Sequence, residues 1–359
     1  MATTKIRSSS ITDGQVANAD LSSTIGVTGD QIADNAVTLA KMAGLVRGKI
    51  IVGDASGNPS ALTVGSNGQA LVSDGTDISW GSAGASSING LSDAVSASTS
   101  NIGLGSGAVD AITSGTNNIG IGLNTGTAIT SGSRNTAVGV YAMDATTSGA
   151  DCTAVGYNAL SAHTTTTGNT AIGGSALLSQ TGGSYNVAVG KHAHSIGTTG
   201  TYNVAVGNEA MYYNNANYNT AVGNLAFRSN TTGANNHGFG HKAGHANTTG
   251  YNHIAIGWQA LKSNTTGVQN IAIGYNSLGV CTTGGTNVAI GNLSCENLTT
   301  GGTNLALGYR ALWKTTTGGN NEGIGTYGLH SNTTGTNIVG LGNNSFSTSA
   351  TVNYTITLG

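Results

Sequence analysis

One regularity constrains this chain more than any other. From Asn101 onward, equivalent residues recur every 17 positions, at 101, 118, 135, 152, 169, 186, 203, 219, 236, 253, 270, 287, 304, 321, 338 and 355, with a single 16-residue step from 203 to 219. With these as position 0, position 4 is glycine in all sixteen copies: Gly105, Gly122, Gly139, Gly156, Gly173, Gly190, Gly207, Gly223, Gly240, Gly257, Gly274, Gly291, Gly308, Gly325, Gly342 and Gly359. Position 3 is always Val, Ile, Leu or Phe, and position 2 is Ala or Gly in every copy but the last, which has Thr357. Position 7 is always small, and position 8 is most often Leu or Met, as in Leu160, Met211, Leu261 and Leu312. A unit this short cannot bury a core by itself, so neighbouring units must stack.

Pentapeptides such as NTAVG at 135, NVAVG at 186 and NIAIG at 270 alternate with a period of two and read as short strands. The fold class expected is all-β, a parallel β-solenoid (β-roll) of 17-residue coils spaced about 4.8 Å apart, roughly 70 Å in total. In this reading positions 1, 3 and 8 point inward. The glycine at position 4 answers either a positive φ or the close approach of another backbone. Asn at position 0, present in twelve of sixteen units, forms a structural ladder. The Thr-Thr-Gly segments at 231, 265, 282, 299, 316 and 333 read as the surface turn most tolerant of change, and the short coil has lost its residue there. The Ala/Gly face of positions 2 and 4 is expected to be covered by equivalent faces in a homotrimer.

Composition narrows the function. Glycine contributes 58 of 359 residues and charged residues only 7%, with three Phe, three Trp and one Pro, which excludes collagen and a thick aromatic core. A net charge of −2 without a basic cluster argues against nucleic acid. No apolar run approaches a membrane span and the start MATTKIRSSS lacks a secretory signal, so no membrane insertion and synthesis in the cytosol are expected. Cys152, Cys281 and Cys295 are odd in number and lack metal spacing, and read as small buried hydrophobes.

The chain divides into a stem or attachment region at 1–48, a small β-module at 49–82, a Ser/Gly/Ala-rich connector at 83–100 and the solenoid at 101–359. Within the stem, 11–21 and 27–37 resemble each other, and Gln31 to Leu45 carries an amphipathic helical pattern.

The unit N-x-A-[VI]-G-x-x-A-[LM], as in NTAVGNLAF at 219 and NLALGYRAL at 304, resembles the head repeats of trimeric autotransporter adhesins over about 70% of the chain, although those heads use shorter coils. The stretch KIIVGDASGNPSALTVGSNGQALVSDGTDISWGS, followed by INGLSDAVSASTSNIGLG, looks like modules of bacteriophage tail fibres. These resemblances imply a homotrimeric, virion-associated fibre for host adhesion. A tail or baseplate protein would hold its N-terminal end. A host surface glycan or a separate receptor-binding protein would meet the C-terminal end, where Thr355 to Gly359 begins a coil without a cap. Alternatives are a trimeric bacterial surface adhesin, an ice-binding solenoid and a fibre-borne depolymerase.

No nucleophile–histidine–acid set, phosphate loop or carboxylate pair emerges, so no enzyme and no cofactor are expected. At position 5 the aromatics Tyr157, Trp258, Tyr275 and Tyr309 are candidate glycan contacts through ring stacking. His192 and His194 form an H-x-H pair that a threefold assembly would triple. His237, His241, His245 and His253 fall at different repeat positions and read as surface residues.

Overall fold

A computed structural model describes residues 49–53, 59–67, 69–82, 94–95, 100–345 and 355–359. The expected stem and its helical segment, and most of the connector, lie outside the described residues. The chain forms two compact units, 1–84 and 85–359.

The first unit holds two hairpins. Strand β1 (Ile50–Gly53) pairs antiparallel with β2 (Pro59–Leu62), and β3 (Gln69–Ser73) with β4 (Ile78–Ser82). The β3–β4 turn is built as its Asp-Gly signature requires: Gly75 adopts φ +94°, and Asp74 Oδ1 accepts from the amides of Thr76 and Asp77. The Trp80 ring lies where a side chain at Gly65 would stand, and its indole N–H donates to Thr63 O.

In the second unit, β5 (Ala94–Val95) runs antiparallel to β6 (Ile102–Leu104), so part of the connector belongs to the sheet. One three- or four-residue strand per coil follows, β7 (Ile119–Ile121) through β20 (Ile338–Leu341), and then β21 (Thr355–Leu358). All are parallel and in register at 17 residues, as in Val187↔Val204, and the 16-residue coil keeps that register, with Val204↔Thr220. The other sides of each coil are also bonded to their neighbours. Leu160 N donates to Ala176 O at position 7, and Thr231 N to Thr248 O at position 12.

The interior reverses one expectation. Position 8 does point inward, with Leu160, Met211, Leu261 and Leu312 fully buried. Positions 1 and 3, however, lie partly exposed on the outer face, and the small residue between them, such as Ala188 or Ala205, is the buried one. The reason is thickness. The returning segment packs so close to the strand that an added Cβ at Gly103 would already touch Val109, and one at Gly340 would overlap Leu329. Only Ala or Gly fits there, opposite Leu. Where a larger side chain enters, the next coil gives way: Phe227 occupies the space that side chains at Gly238 and Gly244 would need.

The position 4 glycines meet both conditions set for them. Gly257 has φ +131°, and a Cβ there would sit 2.5 Å from Gly274 O. Residues at positions 6, 8 and 16 also take positive φ although few are glycine, for example Arg310, Leu312 and Tyr202. Each costs about 1 kcal/mol or more, offset by the burial and cross-coil bonding that hold it.

Position 0 is a continuous buried amide ladder. Asn118 donates to Asn101 Oδ1 from both its backbone N–H and its Nδ2, and Nδ2 also donates to Gly132 O. A second ladder at position 11, absent from the sequence reading, runs Asn214, Asn230, Asn247, Asn264 through Nδ2-to-Oδ1 bonds of 2.6–2.8 Å. These contacts correct the view of the Thr-Thr-Gly turn as freely variable. Its glycine is buried, its carbonyl receives the Asn amide, and its first Thr donates to the next coil, as Thr265 Oγ1 does to Thr282 O at 3.1 Å. The middle residue has an exposed side chain and is held only through its backbone N–H, as Thr232 N is by Thr248 O, and it is the one missing from the 16-residue coil, where Ala216 O replaces the glycine carbonyl.

Gly257→Val should destabilise the solenoid by more than about 3 kcal/mol, because the side chain needs a glycine-only φ and space held by the next coil. Thr265→Ser keeps the cross-coil hydroxyl and should stay within about 0.5 kcal/mol, whereas Thr265→Val should cost about 1 kcal/mol. Urea unfolding of the three variants measures this ordering; a wild-type midpoint for Gly257→Val would contradict the account of position 4.

Candidate functional site

Three outer surfaces carry chemistry. The first is a ridge formed by positions 1 and 3, apolar throughout position 3 but carrying Thr136, Thr153, Thr170, Thr220, His237 and Glu322 at position 1. In position 3 every described coil presents an aliphatic or aromatic residue, and Ile121, Ile172, Phe239, Ile256, Ile290 and Leu341 are exposed. The smooth face expected from positions 2 and 4 does not exist, because Ala at position 2 lies inside the coil.

The second surface is aromatic. Tyr157, Trp258, Tyr275 and Tyr309 do share one outer column and are all exposed. They fall into three groups. Trp258 and Tyr275 stack in parallel at 4.9 Å, with His241 on the other side of Trp258 at 6.0 Å. Tyr157 meets Tyr141 edge-on, and Tyr309 meets Tyr327 edge-on beneath the Arg310 guanidinium. In the stack, ring faces cover one another, so what solvent meets is ring edges and their polar atoms. A second ladder was missed: Tyr185, Tyr202 and Tyr218 at position 16 stack at 5.2 and 5.4 Å and are all exposed. The recurring Tyr-Asn before each strand at 185, 202 and 218 was the legible signal.

The third surface pairs positions 6 and 9 across adjacent turns of backbone. Arg228 makes an ion pair with Glu209 at 2.6 Å and lies over the rings of Tyr212 and Tyr213. Glu296 accepts from Asn276 Nδ2 and from the Trp313 indole N–H. Arg134 and Asp151 form a further ion pair, on the exposed column at position 16. A shallow groove of about 450 Å³ lies between positions 16 and 1, lined by Thr286, Val288, Thr303, Leu305, Asn320 and Glu322.

The histidines separate by burial. His194 lies wholly inside the coil and donates from Nε2 to Asn214 O, while His192 lies at the surface edge-on to Tyr212, so the H-x-H pair is split between interior and exterior. His253, expected at the surface, instead replaces Asn in the position 0 ladder. Its Nδ1 accepts from Asn270 N–H, and its Nε2 lies 3.0 Å from Asn264 Nδ2, which ties it to the position 11 ladder. His163 is buried too, accepting from Thr146 Oγ1–H and donating to Thr166 O. Among the described residues, no three His, Cys, Asp or Glu side chains gather as a metal site. The three cysteines are buried and free, and burial pushes the Cys281 thiol up to about 11.

No family model matches the chain, and neither a curated protein nor a solved structure matches it.

Burial depresses both His194 and His253 to about 4, so each is neutral in the fold. A depressed histidine contributes stability that is present above its unfolded value near 6.5 and is lost as pH falls toward 4. Each should withdraw up to about 3 kcal/mol over that window. His253→Asn restores the ladder and should flatten the acid limb of a stability–pH profile; an unchanged slope would exclude His253 as its source.

Proposed function

We propose that this chain is a non-enzymatic structural and adhesive fibre of a bacteriophage tail, present in the virion as a homotrimer. The observation that carries the structural part is the ridge at positions 1 and 3. It extends over fifteen coils, about 70 Å at β-ladder spacing, and its position 3 column has no polar residue. An exposed apolar column of this length favours a partner, even with Thr, His237 and Glu322 interspersed in the position 1 column beside it. An identical copy presents the same residues at the same axial spacing, so ridge can meet ridge coil by coil. Threefold assembly, phage origin and an orientation with the N-terminal end toward a tail or baseplate protein follow from the sequence resemblances. The interior supports a load-bearing role, since every side of the coil is bonded to its neighbours through backbone or buried amides.

Two aspartates in the ridge, Val222→Asp with Ile273→Asp, place charges at the proposed interface without entering the core. Sedimentation equilibrium should show a trimer for the wild-type chain and a smaller species for the variant; a stable wild-type monomer at micromolar concentration would refute the assembly. Antibody labelling of virions in negative stain tests the location, and label absent from tail appendages would refute it.

A further inference from the structure

We propose that coils 236–275 carry a binding site for an anionic saccharide, formed by the His241–Trp258–Tyr275 stack beside Lys242 and Lys262, two lysines without a carboxylate partner among the described residues. The proposal rests on the adhesive reading and assigns it a ligand class and a place.

Positions 5, 6 and 9 lie on one side of the coil, separated from the ridge by the position 4 bend. Side-chain contacts join them directly: Lys262 Nζ donates to Gln259 Oε1 at 2.9 Å, and Arg310 lies over both Tyr309 and Trp313. On this side, coils 236 and 253 contribute His241, Lys242 and His245, then Trp258, Gln259 and Lys262.

Charge here is one-signed. Between Glu209 and Glu296 the sequence has Arg228, Lys242 and Lys262 and no Asp or Glu. Arg228 is satisfied by Glu209, whereas Lys242 and Lys262 have no carboxylate partner among the described residues. His245, between them, is lowered by burial first and then by Lys242, Arg228 and His241, which marks the local field as positive. What sets this stretch apart is the absence of acids rather than a high density of cations, which lie 14 and 20 residues apart along the chain.

The hydrogen-bonding capacity is equally one-sided. Lys262 occupies the Gln259 oxygen, leaving the amide N–H groups as its free end. The Trp258 indole N–H has no protein acceptor among the described contacts, and Trp258 and Tyr275 are 44% and 48% exposed. The site therefore offers donors and positive charge along an apolar edge. A ligand rich in acceptors and negative charge, with some C–H surface, complements it. Nucleic acid fits less well, because base stacking needs an open ring face and those of Trp258 are taken by His241 and Tyr275.

The test uses the full chain and four polymers: polygalacturonate for carboxylate, phosphomannan for phosphate, dextran as the neutral glycan and oligothymidylate as a non-saccharide polyanion. Wild-type protein should bind polygalacturonate or phosphomannan, more weakly as salt rises, and dextran should not bind. Lys242→Ala with Lys262→Ala should weaken binding at least about 10-fold. Lys242→Arg with Lys262→Arg should retain it, and Lys191→Ala should leave it unchanged, all with wild-type melting. Equal binding by the double alanine variant, equal binding of dextran, tighter binding of oligothymidylate, or no binding of either anionic glycan overturns the site. Adsorption of labelled chain to a panel of bacteria is read in parallel. Adsorption that survives the double alanine variant removes this site and leaves the adhesive reading intact; a wild-type chain that adsorbs to none removes the adhesive reading.

Discussion

The buried asparagine column is the interaction on which the rest of this architecture depends. Each amide is out of water, so each must be paired or cost about 1–3 kcal/mol. It is paired only if the equivalent amide stands directly above it and the glycine carbonyl at position 14 directly beside it. Asn287, Asn304 and Asn321 repeat that pattern bond for bond. A coil one residue out of phase would orphan several such groups at once, whereas a slipped hydrophobic core would simply repack. The ladder thus specifies register more strictly than the apolar residues do. Its interruptions follow the same rule. Cys152, His253 and Ile338 each still donate a backbone N–H to the preceding Asn oxygen, and only the side-chain half of the pairing changes.

A column of buried amides also explains why the coil is thin. Amides, alanines and one leucine per turn leave no volume for a second layer of large side chains, so the larger aliphatic residues of each strand are displaced outward. The result is a repeat whose most hydrophobic strand residues face away from its own core. Burial of the interior is complete within one chain, while burial of the ridge requires another surface. Stability of the single coil stack and the proposed assembly would therefore rest on different residues, and substitutions at position 3 are expected to act on the second without touching the first.

Much of this was legible before any coordinates. The period, the strand segment, the glycine column, the inward position 8 and the amide ladder all follow from columns of like residues. Facing of positions 1 and 3 did not, because alternation marks two faces without saying which is inside, and the larger residues were assigned inward by default. What decided it was interior thickness, a three-dimensional quantity. Positive φ at Leu312, Arg310 or Tyr202 was likewise invisible, since none of these residue types prefers that region. The aromatic residues at position 5 were found as a column, but not that Trp258 and Tyr275 cover each other's faces. Lys242 and Lys262 do not form a cluster along the chain, because they stand 20 residues apart and only the stacking of successive coils brings their columns together.

The columns divide into two sets with different tolerances. Positions 0, 2, 4, 7, 8, 11 and 14 are constrained by φ, by clearance or by buried pairing, and a larger residue there can be compensated in an adjacent coil, as Gly238 and Gly244 make room for Phe227. Positions 5 and 16 lie toward solvent and positions 6 and 9 range from exposed to buried, as at Asn276 and Ser195, and together they hold Tyr, Trp, Lys, Arg, Glu, Asn or Gly above an unchanged ladder. Because each coil bonds only to its neighbours, a change in the second set stays local. A surface can then acquire aromatic or charged residues over two or three coils, as at 241–275, while the scaffold that presents them is unaltered. For an adhesive fibre this separation has a direct consequence: ligand preference can shift by exchange of side chains on fixed columns, with spacing between contacts set by the backbone rather than by the residues that change.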